Sequence, residues 1–249
     1  MIINNLQNEQ QQKTGKILCI YREIQIQNHR FFPKIISCYL CQMNRCLILF
    51  LIVLGSCQVP HFSQSPENGD LLFVGNSTGN LSKSIDEVTQ TTKGTNFSHI
   101  ALIEKSGNEI WVLHAAPEKG SERIRLKKFL KTQKKDGSQI DIYRIKKEFH
   151  PDFDRAIQKA KSMLDKPYNF SYILSDTAYY CSDFVYRSFE NDSIFEMNPM
   201  TFKNPGETEF NPTWVEFYKK QNLEIPEGKP GCNPNGMAAS EKLERIGRL

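Results

Sequence analysis

Cys181 opens the run Cys181-Ser182-Asp183-Phe184-Val185-Tyr186-Arg187-Ser188-Phe189, in which Phe184, Val185 and Phe189 form an apolar stripe at helical spacing. A thiol at a helix N-terminus meets unpaired backbone N–H groups and the positive end of the helix dipole, and both favour the thiolate. A neighbouring imidazole can stabilise that thiolate and carry its proton to a leaving group. A third polar group is needed to fix the tautomer and orientation of the ring. The chain offers His99 as general base and acid and His114 as the orienting partner, with Cys181 as nucleophile. Asp183, in the same first turn, partly opposes thiolate formation. The backbone N–H groups of Cys181 and Ser182 are oxyanion donors, and Tyr180 and Asp70 are candidates for substrate contact.

The histidines must be brought together by strands. Ser98 to Ile103 and Glu109 to Ala115 are both strand-like, with Lys105-Ser106-Gly107-Asn108 between them. A two-residue loop at Ser106-Gly107 puts His99 directly opposite His114, with Cβ atoms about 4.5–5.5 Å apart. Recentring the turn on Gly107-Asn108 makes them diagonal neighbours on one face; only an odd-numbered loop without a bulge separates them. Asp70 to Val74 reads as an earlier strand, and Arg123 to Arg125 and Ile140 to Ile145 as later ones, with a short helix near Leu126 to Leu130. Ser84-Ile85-Asp86-Glu87 has capping-box spacing and predicts a helix from there towards Thr91. Phe153, Ala156, Ile157, Ala160 and Leu164 predict another over about Asp152 to Leu164. The stretch from Asn191 onward, with Trp214, Phe217, Tyr218 and the turn-rich Pro226 to Gly236, either covers a cleft or wraps the sheet.

Each member has a plainer reading. A single histidine among apolar strand neighbours is more often a satisfied core residue than a catalyst. Two on one face, where His61 and His150 are the other histidines past residue 57, shift that balance. Cys181 and Cys232 could form a disulfide. Cys181, His99 and His114 could in principle hold a metal, but no acidic residue or second thiol has the spacing to complete the set. The reading therefore invokes no metal and no cofactor.

Cys57 closes a second motif. Met43-Asn44-Arg45, the uncharged apolar run from Cys46 to Leu54, and Leu54-Gly55-Ser56-Cys57 have the order of a lipoprotein leader. On this reading residues 1–42 are an upstream extension, 43–56 the signal peptide, 57–68 a lipidated Cys57 and polar tether, and 69–249 one domain with a C-terminal extension from about 191. The chain carries 32 basic and 28 acidic residues. Six of the basic and two of the acidic ones lie within residues 1–57, leaving 26 of each in the remainder. A neutral domain does not suit a nucleic-acid partner.

Gly69-Asp70-Leu71-Leu72-Phe73, Ser98-His99-Ile100-Ala101-Leu102, Val112-Leu113-His114-Ala115 and Tyr180-Cys181-Ser182-Asp183-Phe184-Val185, in this order, resemble the YaeF/YiiX group of permuted papain-fold enzymes, relatives of NlpC-type cell-wall peptidases. In NlpC-type enzymes the cysteine helix precedes the histidine strand; here His99 comes first, as in the permuted group. The resemblance implies an α+β, circularly permuted papain-like fold, a small antiparallel sheet packed against the helix bearing the nucleophile. It matches Cys181 to the nucleophile, His99 to the catalytic histidine and His114 to a third position that varies in the family. Asp183 and Ala101 stand where many members have Glu and Gly. The implied chemistry is amide or acyl chemistry through an acyl-enzyme, with substrates in the family ranging over cell-wall peptides, amidated amino acids and lipids. The lipid anchor read at Cys57 adds the membrane and the cell envelope, periplasmic or surface-exposed, and so favours hydrolysis of a peptide, peptidoglycan fragment or acyl-amide. Acyl transfer to or from a lipid, and a catalytically silent binding module, are the alternatives.

Overall fold

Residues 65–134 and 137–249 are described by a computed structural model. The expected leader, the lipid-bearing Cys57 and nearly all of the tether fall outside the described residues. Leu71-Leu72-Phe73-Val74 is apolar on both faces, as a strand covered on both sides must be. It forms β1 (Leu71–Gly75), flanked by β2 (Phe97–Ser106) and β5 (Gln139–Ile145). With β3 (Glu109–Ala116), β4 (Gly120–Arg125) and β8 (Leu243–Arg248) they make a six-stranded antiparallel sheet in the order β4-β3-β2-β1-β5-β8. Leu71 and Phe73 point to one core and Leu72 and Val74 to the other.

The first core lies under α3 (Phe153–Ser162) and α4 (Cys181–Ser188) and takes in Ile100, Leu102, Leu113 and Phe184. The second lies under α2 (Leu126–Lys134) and is closed by Phe129 with Ala101, Ile103 and Val112. Helix α3 begins one residue after Asp152, whose carboxylate caps it by accepting from the Arg155 N–H at 3.0 Å.

The hairpin between β2 and β3 closes on Gly107-Asn108, with Ser106 paired to Glu109 and Gly107 at φ 59°. His99 and His114 are therefore diagonal neighbours, the second of the two even-loop registers. The capping box at Ser84 is not used. Helix α1 (Asn80–Val88) starts four residues earlier, with Ser84 buried inside it. Its Leu81, Ile85 and Val88 pack against the main core, and that burial sets the start instead of the cap.

The C-terminal part does both things the sequence allowed. Its last strand, β8, extends the sheet beside β5. Helix α5 (Pro212–Lys220), capped by Asn211, sends the Trp214 indole N–H to Ser84 O at 3.3 Å and the Tyr218 hydroxyl to Ser171 O at 3.2 Å. The short ribbon of β6 (Asn198–Pro199) and β7 (Pro230–Gly231) leads into α6 (Pro234–Ala238), capped by Asn233. Within α6, Asn235 is wholly buried: its carbonyl accepts the Phe97 N–H at 2.8 Å while its amide reaches Asp86 and Thr89.

Asp70, expected to touch substrate, is instead buried in a two-pronged ion pair. Arg144 Nε and Nη2 donate to its two oxygens at 2.7 and 2.8 Å, and the Glu67 N–H adds a third bond. It precedes the end of β1 remote from His99, which pairs with Val74. Asp70→Ala should cost about 3 kcal/mol, because it removes the two-pronged carboxylate partner of a buried guanidinium and leaves it Glu67 and the Ser65 carbonyl. Urea denaturation reads this directly, and a loss below about 1 kcal/mol would mean that water solvates the pair.

Asp183 on α4 is fully buried, and burial raises its carboxyl from 3.8 to about 6 even though Arg187 Nε donates to it at 2.8 Å. A raised carboxyl favours the folded state when protonated, so its contribution is complete below about pH 4 and lost as pH rises through about 6. The stability of the wild type relative to Asp183→Asn should therefore fall between pH 4 and pH 7. A difference independent of pH in the same denaturation series would show that Arg187 keeps the carboxylate ionised throughout.

Candidate active site

Tyr180, in extended conformation with φ −94° and ψ 166°, caps α4 without offering a side-chain oxygen. The first N–H groups of the helix are thus left for other partners. Cys181 follows, 4 % exposed, and burial pushes its thiol up to about 11. The N–H groups of Ile100, Ser182 and Cys181 and the hydroxyl of Tyr168 pull the other way without overcoming it. The sequence-based expectation of a favoured thiolate is corrected here: the helix terminus is present, but loss of solvent outweighs it. Cys232 is also a free, buried thiol, shifted upward by burial, so no disulfide joins it to Cys181.

The two imidazoles are in direct contact, His99 Nε2 to His114 Nδ1 at 3.0 Å. Phe129 packs under both rings, stacked on His99 at 6.2 Å and edge-on to His114 at 5.2 Å. Burial, and then the neighbouring His114, hold His99 well below the usual histidine range. His114 is itself buried, and its Nε2 lies 3.4 Å from Glu122 Oε1, an ion-pair distance without good hydrogen-bond alignment. Interaction with His114 holds the Glu122 carboxyl below its ordinary value. With Glu122 ionised, a proton on His114 Nε2 faces the carboxylate, and that tautomer leaves Nδ1 to accept from His99 Nε2–H. Nδ1 of His99 is left as the basic nitrogen, and it forms no hydrogen bond among the described residues.

The ring contacts place both histidines on the α2 side of the sheet, whereas Cys181 belongs to the α4 side. Beside His99, β2 leaves register. Val74 pairs with His99 but Gly75 pairs with Phe97, so Ser98 is an inserted residue. Ser98 faces the Cys181 pocket, and the next peptide but one, at Ile100, reaches the sulfur. His99 and His114 are thus hydrogen-bonded, while Cys181 lies beside the backbone that follows His99. No hydrogen bond joins the thiol to either ring among the described residues.

Two neighbours of the site were not foreseen. Glu122 stands directly across β3–β4 from His114, in a strand expected to begin only at Arg123. Starting it at Gly120 would have exposed the pairing. Tyr168, just after Pro167, had no local signal beyond its place on the approach to Cys181. It and Tyr180 line a pocket of about 110 Å³ at the thiol, together with Tyr172, Phe202 and Trp214. A second cleft of about 330 Å³ lies across Gly231 and Cys232 and carries Glu196, Glu241 and Lys242.

His99, His114 and Glu122 lie in series and not around a common point, and among the described residues no three His, Cys, Asp or Glu side chains are placed to hold an ion.

The chain is 31 % identical over 150 residues to the uncharacterized protein YiiX of Escherichia coli K12, covering 59 % of this chain and 67 % of that one. Its fold is similar to the crystal structure described as metalloprotein yiiX from Escherichia coli O157:H7, with a TM-score of 0.60, 22 % identity, and coverage of 75 % of this chain and 99 % of that one. The antiparallel sheet, the histidine strand preceding the cysteine helix, and a family match over residues 65–247 agree: the chain belongs to the C92 family of permuted papain-like amidase enzymes, YaeF/YiiX.

Proposed function

We propose that the protein hydrolyses an amide through a thioester acyl-enzyme on Cys181, acting on peptide or peptidoglycan-derived material, and that a lipid on Cys57 holds it at the cell envelope. The observation that carries the reading is the position of the Cys181 sulfur. It sits at the open N-terminus of α4, on an aromatic pocket, beside the peptide that follows a histidine whose Nδ1 makes no hydrogen bond among the described residues.

With the thiol raised and the imidazole lowered, the resting pair is uncharged. The thiol proton passes to His99 Nδ1 as the sulfur attacks the carbonyl carbon, and the amide C=O becomes an oxyanion facing the N–H groups of Cys181 and Ser182. The Tyr168 hydroxyl, kept protonated by burial, is a third donor on the same side. Collapse breaks the C–N bond and returns the proton from His99 to the leaving amine. Water, deprotonated by His99, then releases the acid and restores the thiol. No step requires a metal. The pocket is smaller than the roughly 150 Å³ cavity that holds one benzene ring, so it suits a side chain better than a long acyl tail. That favours amide hydrolysis over transfer of a lipid chain.

Cys181→Ala should abolish turnover across peptidoglycan fragments and acyl-amides while leaving the thermal unfolding curve in place. Retained activity would remove the nucleophile assignment. Glu122→Gln should lower kcat about tenfold with little change in KM and broaden the alkaline side of the pH profile, since a neutral amide no longer fixes the proton order in the two imidazoles. Glu122→Asp should recover part of the rate; equal losses in both variants, or a change in KM alone, would contradict the role.

A further inference from the structure

Tyr172 is 7 % exposed, lies in the wall of the pocket beside Cys181, and has a hydroxyl with no hydrogen-bond partner among the described residues. Tyr168 approaches it closely enough to affect its ionisation, but without ordinary hydrogen-bond geometry. A buried phenol normally finds a partner, and one left open in a cavity wall is a place for a ligand atom. Its backbone is also unusual. Tyr172 is held at φ 57°, the left-handed region that bulky residues avoid, inside a turn tied down by Asn169, Ser171 and Tyr218. Strain of this kind persists where surrounding structure imposes it, and it collects at ligand sites.

The rest of the wall is uncharged. Ile85, Tyr168, Tyr180, Phe202 and Trp214 are its large apolar and aromatic members, and no Asp, Glu, Lys or Arg side chain lines the pocket. An ammonium or carboxylate entering it would lose its hydration with no counter-charge to meet.

We propose that this pocket is the subsite for the acyl-side residue of the substrate, that it selects a neutral side chain of branched-aliphatic size, and that the Tyr172 hydroxyl donates to one acceptor oxygen on that side chain. The inference rests on Cys181 being the nucleophile. It narrows the substrate class: the residue whose carbonyl is attacked is uncharged, and charged residues are left to other subsites, such as the adjoining cleft, which shares Asn198, Gly231, Cys232 and Asn233 with the pocket and carries Glu196, Glu241 and Lys242.

The test uses N-acetyl amino acid chloromethyl ketones, both enantiomers, with norleucine, O-methylhomoserine, lysine and glutamate side chains. Each places its carbonyl at the scissile position; Sγ forms a C–S bond, chloride leaves, and the thiol proton goes to His99. Intact-mass kinetics on the protein should show both neutral ketones alkylating Cys181 at least about tenfold faster than both charged ones. The O-methylhomoserine ketone should outpace its isostere norleucine several-fold, and that ratio should fall to about one in Tyr172→Phe. Lysine or glutamate ketones reacting as fast as the neutral pair would overturn the subsite. A ratio unmoved by Tyr172→Phe would overturn the part assigned to the hydroxyl. Iodoacetamide separates the two layers. If Cys181 reacts with it no faster than Cys232, the nucleophile reading itself fails; if Cys181 is faster but prefers charged ketones, only the subsite does.

Discussion

The site depends on the burial of one helix turn against one irregular strand. The first turn of α4 packs on β2 where Ser98 is inserted into the ladder, and that insertion re-aims the residues around it. Ser98 turns towards the Cys181 pocket and His99 towards Phe129 and His114. Across the bulge Phe97 and Ile100, three residues apart, both face the α4-side core, which strict alternation would forbid. The bulge is itself held: Asn235 accepts the Phe97 N–H, and this residue comes from the far end of the chain. The geometry of a strand early in the sequence is therefore fixed by a helix near its close.

That packing also sets the electrostatics. Burial of Cys181 and His99 penalises the thiolate and the imidazolium alike, so both groups are neutral at rest. An ion pair would bring nucleophilicity at neutral pH, but it would also place two charges in an apolar site before any substrate arrives. The neutral pair defers charge separation to the moment when the oxyanion and its N–H donors can share the charge. The proton row from His99 through His114 to Glu122 makes this directional. Its outer end is ionised and partly exposed, where solvation costs least, and its inner end presents a bare nitrogen.

The legible parts were those with a period. The apolar run at Leu71 to Val74, the alternation of β2 and β3 and the helical stripes of α3 and α4 each required one burial pattern, so element type and chain order could be read directly. The parity argument for His99 and His114 survived because an even hairpin keeps both on one face whichever residues form its turn. What escaped was set by distant contacts. Helix α1 begins where Trp214 and its neighbours bury it, Glu122 matters only through its place opposite His114, and β8 has no strand-like alternation of its own. Asp70 misled because a carboxylate next to a family motif looks functional, while its partner Arg144 lies far along the chain.

The pocket shows the same division at the level of chemistry. Cys181 and His99 lie on a helix and a strand of the main sheet, whose positions are held by backbone hydrogen bonds and tolerate little error, as a reacting centre needs. Tyr172, Met200, Phe202 and Gly231 lie on turns and on a two-residue ribbon, and these are pinned by a few side-chain bonds from α5 and the Asn233 turn. A segment of this kind can change its lining residues without disturbing the thiol. Substrate choice is then written where no periodic pattern announces it, and the open hydroxyl of Tyr172 is legible only once the chain is folded around it.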